Sequence, residues 1–238
     1  MNVVISQPML FPWVGFFEQI RLCDKYIHYN DVQFSKGGFT NRVQVKSPSS
    51  SKWLTVPLAN LHLGQSIDEV KINPCQDWRG KHMQLLDNCY GDAPYFLEMM
   101  EIVDSVYSKD FEFIDDLAFN SILAVADYLN FTENTSFLEI KSLSIPGSSS
   151  QRVLEVVKAV NGDCYITGHG AKNYLDHESF DKAGIKVKYM NYEKKPYTQQ
   201  FGAFDPYVSI LDLIANKGKR GIDWVCSETI DWELFISE

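Results

Sequence analysis

Residues 150–190 read Ser150-Gln-Arg-Val-Leu-Glu-Val-Val-Lys-Ala-Val160-Asn-Gly-Asp-Cys-Tyr-Ile-Thr-Gly-His-Gly170-Ala-Lys-Asn-Tyr-Leu-Asp-His-Glu-Ser-Phe180-Asp-Lys-Ala-Gly-Ile-Lys-Val-Lys-Tyr-Met190. Val153, Leu154, Val156, Val157 and Val160 recur at spacings of three and four, which predicts a helix from Ser150 to Asn161. The short apolar run Cys164–Thr167 then predicts a buried strand, and about Leu175 to Ala183 a second helix before a strand over Ile185–Met190. Helix and strand in alternation are the mark of βαβ units on a parallel sheet. The amino end follows the same plan, with a strand at Val3–Ser6, a helix at Trp13–Leu22 and a strand at Tyr26–Tyr29. Between these halves the sequence predicts strands at Asn41–Lys46 and Trp53–Pro57 around the soft stretch Ser47–Ser51, and a further one near Glu69–Ile72. Helices are then expected over about Trp78–Cys89, Ala93–Tyr107 and Asp110–Leu129. The expectation is one α/β domain over residues 1–238, Rossmann-like, with a mostly parallel sheet, a helical middle and a subdomain boundary near 146–150.

At 238 residues and 45% apolar content the chain can bury a substantial core. Its formal charge of −9 argues against a generic nucleic-acid binder and against adhesion to anionic membranes. The 5 cysteines contain no C-x-x-C pair, so neither a disulfide framework nor a zinc site is indicated, and reduced thiols in the cytoplasm are expected. No segment has the look of a leader or a membrane span.

In a parallel sheet, ligands collect where strands end and helices begin. Ser6-Gln-Pro8 sits at such an edge. Pro8 and Pro12 stiffen the turn, Gln7 offers an amide, Trp13 a ring, and Gly15 a close approach. The strand, turn and helix there resemble those of nucleotidyltransferases with an HxGH-type signature, but Pro12-Trp-Val-Gly-Phe16 lacks both histidines. Asp31, Asn41 and Arg42 form a second group of hydrogen-bonding side chains, either around a crevice or as an ion pair holding a loop. None of the 5 histidines lies in an H-E-x-x-H arrangement, so no metal is expected. His82 lies on a helix above Leu86 and Cys89, as a base or as a satisfied core residue. Serine-hydrolase, P-loop and complete dinucleotide fingerprints do not occur. Farther on, Ser209 begins an apolar helix and Asp212 fits a capping box, while Tyr197 and Gln199 have no such structural excuse.

Taken in order, Ile5–Pro8 with Pro12–Gly15, Asp31–Lys36, Asn41-Arg42, Trp53–Pro57, His82, Tyr90 with Ala93–Phe96, Tyr174–Asp176, Tyr197 with Gln199, and Ser209–Asp212 resemble the WbqC-like protein family from residue 3 to about 218. The resemblance implies a role in bacterial O-antigen and related polysaccharide assembly. The implied reaction attaches a glycyl or similar acyl group to the amine of a nucleotide-linked deoxyamino sugar. His28 departs from the family pattern, which favours an apolar residue there. Such a transfer needs a base, donors for an oxyanion and a site for the acyl carrier. His82 or Asp31 is expected as the base, and Asn41 with Arg42 as holders of a phosphate or oxyanion. Trp13, Tyr90 and Tyr197 are expected as walls, with Gln7, Tyr174, Gln199 and Asp212 as further contacts. No cofactor is identified beyond an activated acyl donor of unknown carrier. Other enzymes of the same pathway are expected partners. Aminoacyl-tRNA as donor is disfavoured by net charge unless Lys186, Lys188, Lys194 and Lys195 form a local basic patch. The alternatives are a nucleotidyltransferase-like enzyme and a non-catalytic scaffold.

Overall fold

The computed structural model describes residues 1–237. The strand β1 (Asn2–Ser6), helix α1 (Val14–Leu22) and strand β2 (Lys25–His28) form the first βαβ unit. Strands β3 (Arg42–Val45) and β4 (Lys52–Thr55) form an antiparallel ribbon with Val43 opposite Leu54, and the short β5 (Leu58–Ala59) and β6 (Lys71–Ile72) pair beside it. The helical middle follows as α2 (Trp78–Tyr90), α3 (Phe96–Tyr107) and α4 (Ile114–Tyr128). Residues 110–113 stay outside α4, where Phe113 is the extended cap and pairs with Lys71 in an antiparallel bridge, Ile72 N–H donating to the Glu112 carbonyl and Ile114 N–H to the Val70 carbonyl. The chain then re-enters the sheet at β7 (Ser136–Glu139), a strand whose period is hidden by its shortness, and passes through α5 (Ile140–Leu143) and α6 (Ser149–Ala159). Strand β8 (Cys164–Thr167), helix α7 (His177–Lys182) and strand β9 (Lys186–Asn191) complete the second half as the sequence predicts. After α8 (Ile210–Lys217), strand β10 (Glu228–Asp231) and helix α9 (Trp232–Ser237) close the chain.

The six-stranded sheet runs β10-β9-β8-β1-β2-β7, parallel except for β10. Its outer positions explain why β7 and β10 escape a sequence reading: each is a half-exposed edge strand, not the apolar run of a central one. Val4 and Tyr26 face one layer with Phe17, Ile20 and α4, and Val3 and Ile27 face the other with α6 and α7. From β1 the chain steps toward β2 and β7, then crosses back over α6 to β8 and steps the opposite way. The strand order therefore reverses between β1 and β8, and the loops after those strands open a crevice at the carboxyl edge of the sheet. No helix among the described residues is long and apolar enough to cross a membrane.

Candidate functional site at the sheet edge

The turn after β1 is pinned on every side. The backbone N–H of Leu10 donates to the Phe39 carbonyl at 3.0 Å, and that of Phe11 to the Ser121 hydroxyl at 2.8 Å. Ser209 accepts from Leu211 N–H as the cap of α8, and its own hydroxyl donates to the Phe11 carbonyl at 2.8 Å. A rigid turn places what it does not tie down, and Gln7 ends exposed at the edge. Trp13 stands before the first turn of α1, its ring 4.9 Å from Tyr192 and 5.9 Å from Tyr207. Gly15 makes that pose available: a Cβ there would meet the Trp13 ring at 2.3 Å, so the close approach is to an indole rather than to backbone. Tyr192 accepts a 2.7 Å hydrogen bond from Gln19, and burial pushes its hydroxyl up to about 12. The start of α1 has no capping side chain and no acid in its first turn; the Phe16 N–H turns back onto the Trp13 carbonyl at 3.1 Å, and the helix end keeps its partial positive charge. Val14, Gly15, Glu18, Lys194, Lys195 and Trp224 line a cleft there with Trp13 and Tyr197, whose enclosed space of about 10 Å³ holds about one water, and Glu18 accepts from the Ser227 N–H at 3.2 Å.

On the other side of β1, Asp31 follows β2 and receives both arms of Arg152, at 2.9 and 2.6 Å. The pairing partner is thus on α6 rather than the neighbouring Arg42. Arg152 also donates to the Ile145 carbonyl at 2.9 Å and to the Tyr29 hydroxyl at 3.4 Å. Asp31, Lys141, Pro146, Gly147 and Arg152 line an open cleft of about 450 Å³. Beneath it, His28 Nε2 and Asp115 Oδ1 lie 2.7 Å apart, Asn30 donates to Asp115 at 2.6 Å, and His28 stacks on Phe119 at 3.9 Å. A polar ring fits at position 28 because an acid on α4 meets it. Glu139, at the end of β7, is held above the usual carboxylate range by burial and by Asp115 and Asp116, against the pull of His28. It was invisible in the sequence because its strand was. Tyr174 is half exposed after β8, and burial, with Tyr29 nearby, raises its hydroxyl above the ordinary value.

The remaining sequence candidates lie elsewhere. His82 is 4% exposed, 2.9 Å from the Tyr107 hydroxyl and edge-on to Trp78. Burial drives it down to about 4, against the Thr55 carbonyl, so it is neutral near pH 7. Asn41 donates to the Val56 carbonyl at 2.9 Å. Arg42 donates to the Gly37 and Gly38 carbonyls and lies 4.2 Å over the Trp53 ring. Tyr90, Tyr197, Gln199 and Asp212 do come together, in a knot behind the cleft. Tyr197 donates to Asp212 at 2.9 Å, Asn216 donates to the Asp212 carbonyl at 2.8 Å, and Lys46 donates to Gln199 at 2.7 Å and, through its backbone N–H, to Tyr90 at 3.1 Å. Asp212 is thus turned inward rather than closing a capping box with Ser209. Burial raises its carboxyl, while the bonds from Tyr197, Tyr90 and Gln199 and the charge of Lys46 oppose that shift. Gln199 and Arg42 meet opposite ends of β3, which four residues of extended chain set about 13 Å apart. A single hollow shared by Gln7, Arg42 and Gln199 is therefore not what these contacts build. Among the described residues no group of three or more His, Cys, Asp or Glu side chains is arranged to hold a metal ion.

The chain is 29% identical over 227 residues to "Uncharacterized protein Rv1507c" of Mycobacterium tuberculosis (strain ATCC 25618 / H37Rv), covering 94% of this chain and 97% of that protein. No solved structure matches it. The model of the WbqC-like protein family matches residues 7–224, from the exposed glutamine after β1 to the tryptophan of the cleft. The chain belongs to the WbqC-like protein family.

Proposed function

We propose that this protein is a transferase of bacterial surface-polysaccharide (O-antigen) assembly that binds a nucleotide-linked deoxyamino sugar at the sheet edge and attaches a glycyl or similar acyl group to its amine. The observation that carries the reading is the start of α1, where an uncapped helix end, Lys194 and Lys195 meet Trp13 and Trp224, with Glu18 the one acid of the cleft. The positive end of a helix and two ammonium groups suit a diphosphate, and the rings suit a nucleobase. From β9 to β2 the edge spans three strand spacings, about 14 Å, so a sugar leaving the diphosphate passes Gln7 toward Asp31. Asp31, which lines the open cleft beside Arg152, is the group proposed to take a proton from the sugar ammonium. The cleft is nearly closed, so entry requires the segment 194–207 to lift, and left-handed φ angles of 49° at Lys194 and 54° at Gly202 mark where it turns.

Calorimetric titration with a dTDP-linked 4-amino sugar tests the reading. Saturable binding that Gln7→Ala and Trp13→Ala weaken supports it, and absence of binding to any such sugar overturns it. Because the same helix start suits a free nucleotide, ATP is titrated in parallel, and pyrophosphate release would instead favour a nucleotidyltransferase. A polysaccharide of unchanged mass in a strain lacking the gene would point to neither.

A further inference from the structure

Although the chain carries −9 overall, five of its 22 basic residues gather beside the α1 cleft: Lys194, Lys195, Lys217, Lys219 and Arg220. Aromatic rings hold four of them in place. Lys195 and Lys217 reach the same Trp224 ring, at 5.3 and 5.1 Å, so they are neighbours. Lys194 lies 5.0 Å over Tyr207 and donates to its hydroxyl at 2.8 Å, and Tyr207 in turn meets Trp13. Lys219 lies 5.7 Å over Tyr128, and with Lys217, Arg220 and Tyr95 it lines a second cleft of about 520 Å³. A lysine resting on a ring keeps its charge outward and loses less rotamer freedom on binding than a free one. Gly218 sets the spacing. Its φ of 57° turns the chain sharply between Lys217 and Lys219, and a Cβ there would strike the Tyr95 ring at 2.5 Å. The acids facing the stripe are partly engaged: Glu18 in the first cleft accepts from the Ser227 N–H at 3.2 Å, Glu98 accepts from Tyr128 at 2.5 Å, and Asp223 lies 4.0 Å from Arg220, while Glu101 lines the second cleft. Of the lysines in the sequence-stretch 186–195, Lys188 faces Asp231 at 3.7 Å on the far edge, so the patch forms around 194, 195 and 217–220.

We infer that this stripe binds single-stranded RNA, the kind of 3′ end that carries an ester-linked aminoacyl group, and thereby presents the acyl donor to the sugar edge. The inference rests on the transfer reading and names its donor. Fixed cations at intervals fit phosphates, the exposed Tyr207 ring fits an unstacked base, and the stripe runs directly into the cleft proposed for the sugar nucleotide. In the implied step the sugar amine attacks the ester carbonyl, the carbon–oxygen bond to the ribose breaks, the ribose hydroxyl leaves with a proton, and the nitrogen loses one, so an amide replaces an ester without a redox partner.

Fluorescence anisotropy with a labelled RNA hairpin ending in unpaired CCA, over a series of salt concentrations, tests it. Binding should weaken steeply with salt, and Lys219→Glu/Arg220→Glu should lower the slope of log K against log salt by about 1.4 if each contacts a phosphate of the single strand. The same double variant should bind the dTDP-linked sugar with unchanged affinity. No binding of the hairpin, or binding indifferent to the double variant, overturns the inference even when the sugar nucleotide binds. Binding of an acidic acyl carrier protein in preference to the hairpin overturns it as well. Loss of sugar-nucleotide binding by the unmodified protein instead removes the transfer reading, which the anisotropy measurement does not depend on.

Discussion

The knot around Asp212 and the edge around Gln7 both gather polar side chains from distant parts of the chain, but they do opposite things with them. In the knot, Asp212 is wholly buried and held through one carboxylate oxygen by Tyr197 and Asn216, while its other oxygen is buried without a partner. At the edge, Gln7 is exposed, the start of α1 is uncapped, and Lys194 and Lys195 line a cleft. A dense cluster of polar residues in a sequence is therefore ambiguous: turned inward it is architecture, and left open to solvent it is a place for a ligand. The knot matters to the edge because it anchors the segment through Tyr197 and Gln199 that covers the cleft.

The contrast breaks most sharply if the knot is dispensable. Asp212→Ala should cost about 4 kcal/mol in urea unfolding, since it leaves Tyr197 and Asn216 facing a void in a buried site. Asp212→Asn keeps an acceptor for Tyr197 and should cost much less. Because burial raises the folded carboxyl, native Asp212 holds a proton where the unfolded chain has released it, so its contribution falls as pH rises through the folded value. The Asn variant should accordingly compare best with wild type at high pH.

Next is His82, which belongs with the knot in kind though not in place. Its folded value is depressed to about 4 from 6.5, so the unfolded chain takes a proton first as pH falls. The stabilisation present above pH 6.5 is lost on the way down to about 4, and the gap of about 2.5 units corresponds to about 3 kcal/mol. A His82→Gln variant should lose that pH dependence, so the stability difference from wild type should shrink by about that amount between pH 7 and 4. A constant difference would mean that His82 titrates normally and is open to solvent, and would restore it as a candidate base.

At the edge the largest effect belongs to Gly15. Gly15→Ala pushes the Trp13 ring off its position and should weaken binding of the sugar nucleotide about tenfold, with a smaller change in unfolding midpoint. Unchanged affinity would separate Trp13 from the ligand and leave the ring to packing against Tyr192 and Tyr207.

Much of this was legible. The βαβ halves show because β1, β8 and β9 are central strands whose apolar runs, such as Cys164–Thr167, leave little else to be. Asp212 was misread because a capping box needs only local spacing, whereas the tyrosine that turns Asp212 inward comes from 15 residues away. The partner of Asp31 was unreadable for the same reason, since Arg152 lies 121 residues on. Side-chain pairing across a fold leaves no periodic trace. Glu139 shows the other limit, a titratable group whose position is meaningful only once its edge strand has been seen.

The Asp31–Arg152 pair offers the finest test of where architecture ends and site begins. It is partly exposed, with the Arg152 side chain 9% and the Asp31 side chain 24% accessible, so its worth lies between that of a surface pair and a buried one. Arg152→Lys keeps the charge but loses the second arm, the bond to Ile145 and the stacking near Tyr29. It should cost about 1 kcal/mol of stability. If the pair only fastens the loop 144–149, that loss is all that follows. If Asp31 meets the sugar, freeing one of its oxygens should also change the pH profile of transfer, which a purely structural role would leave where it was.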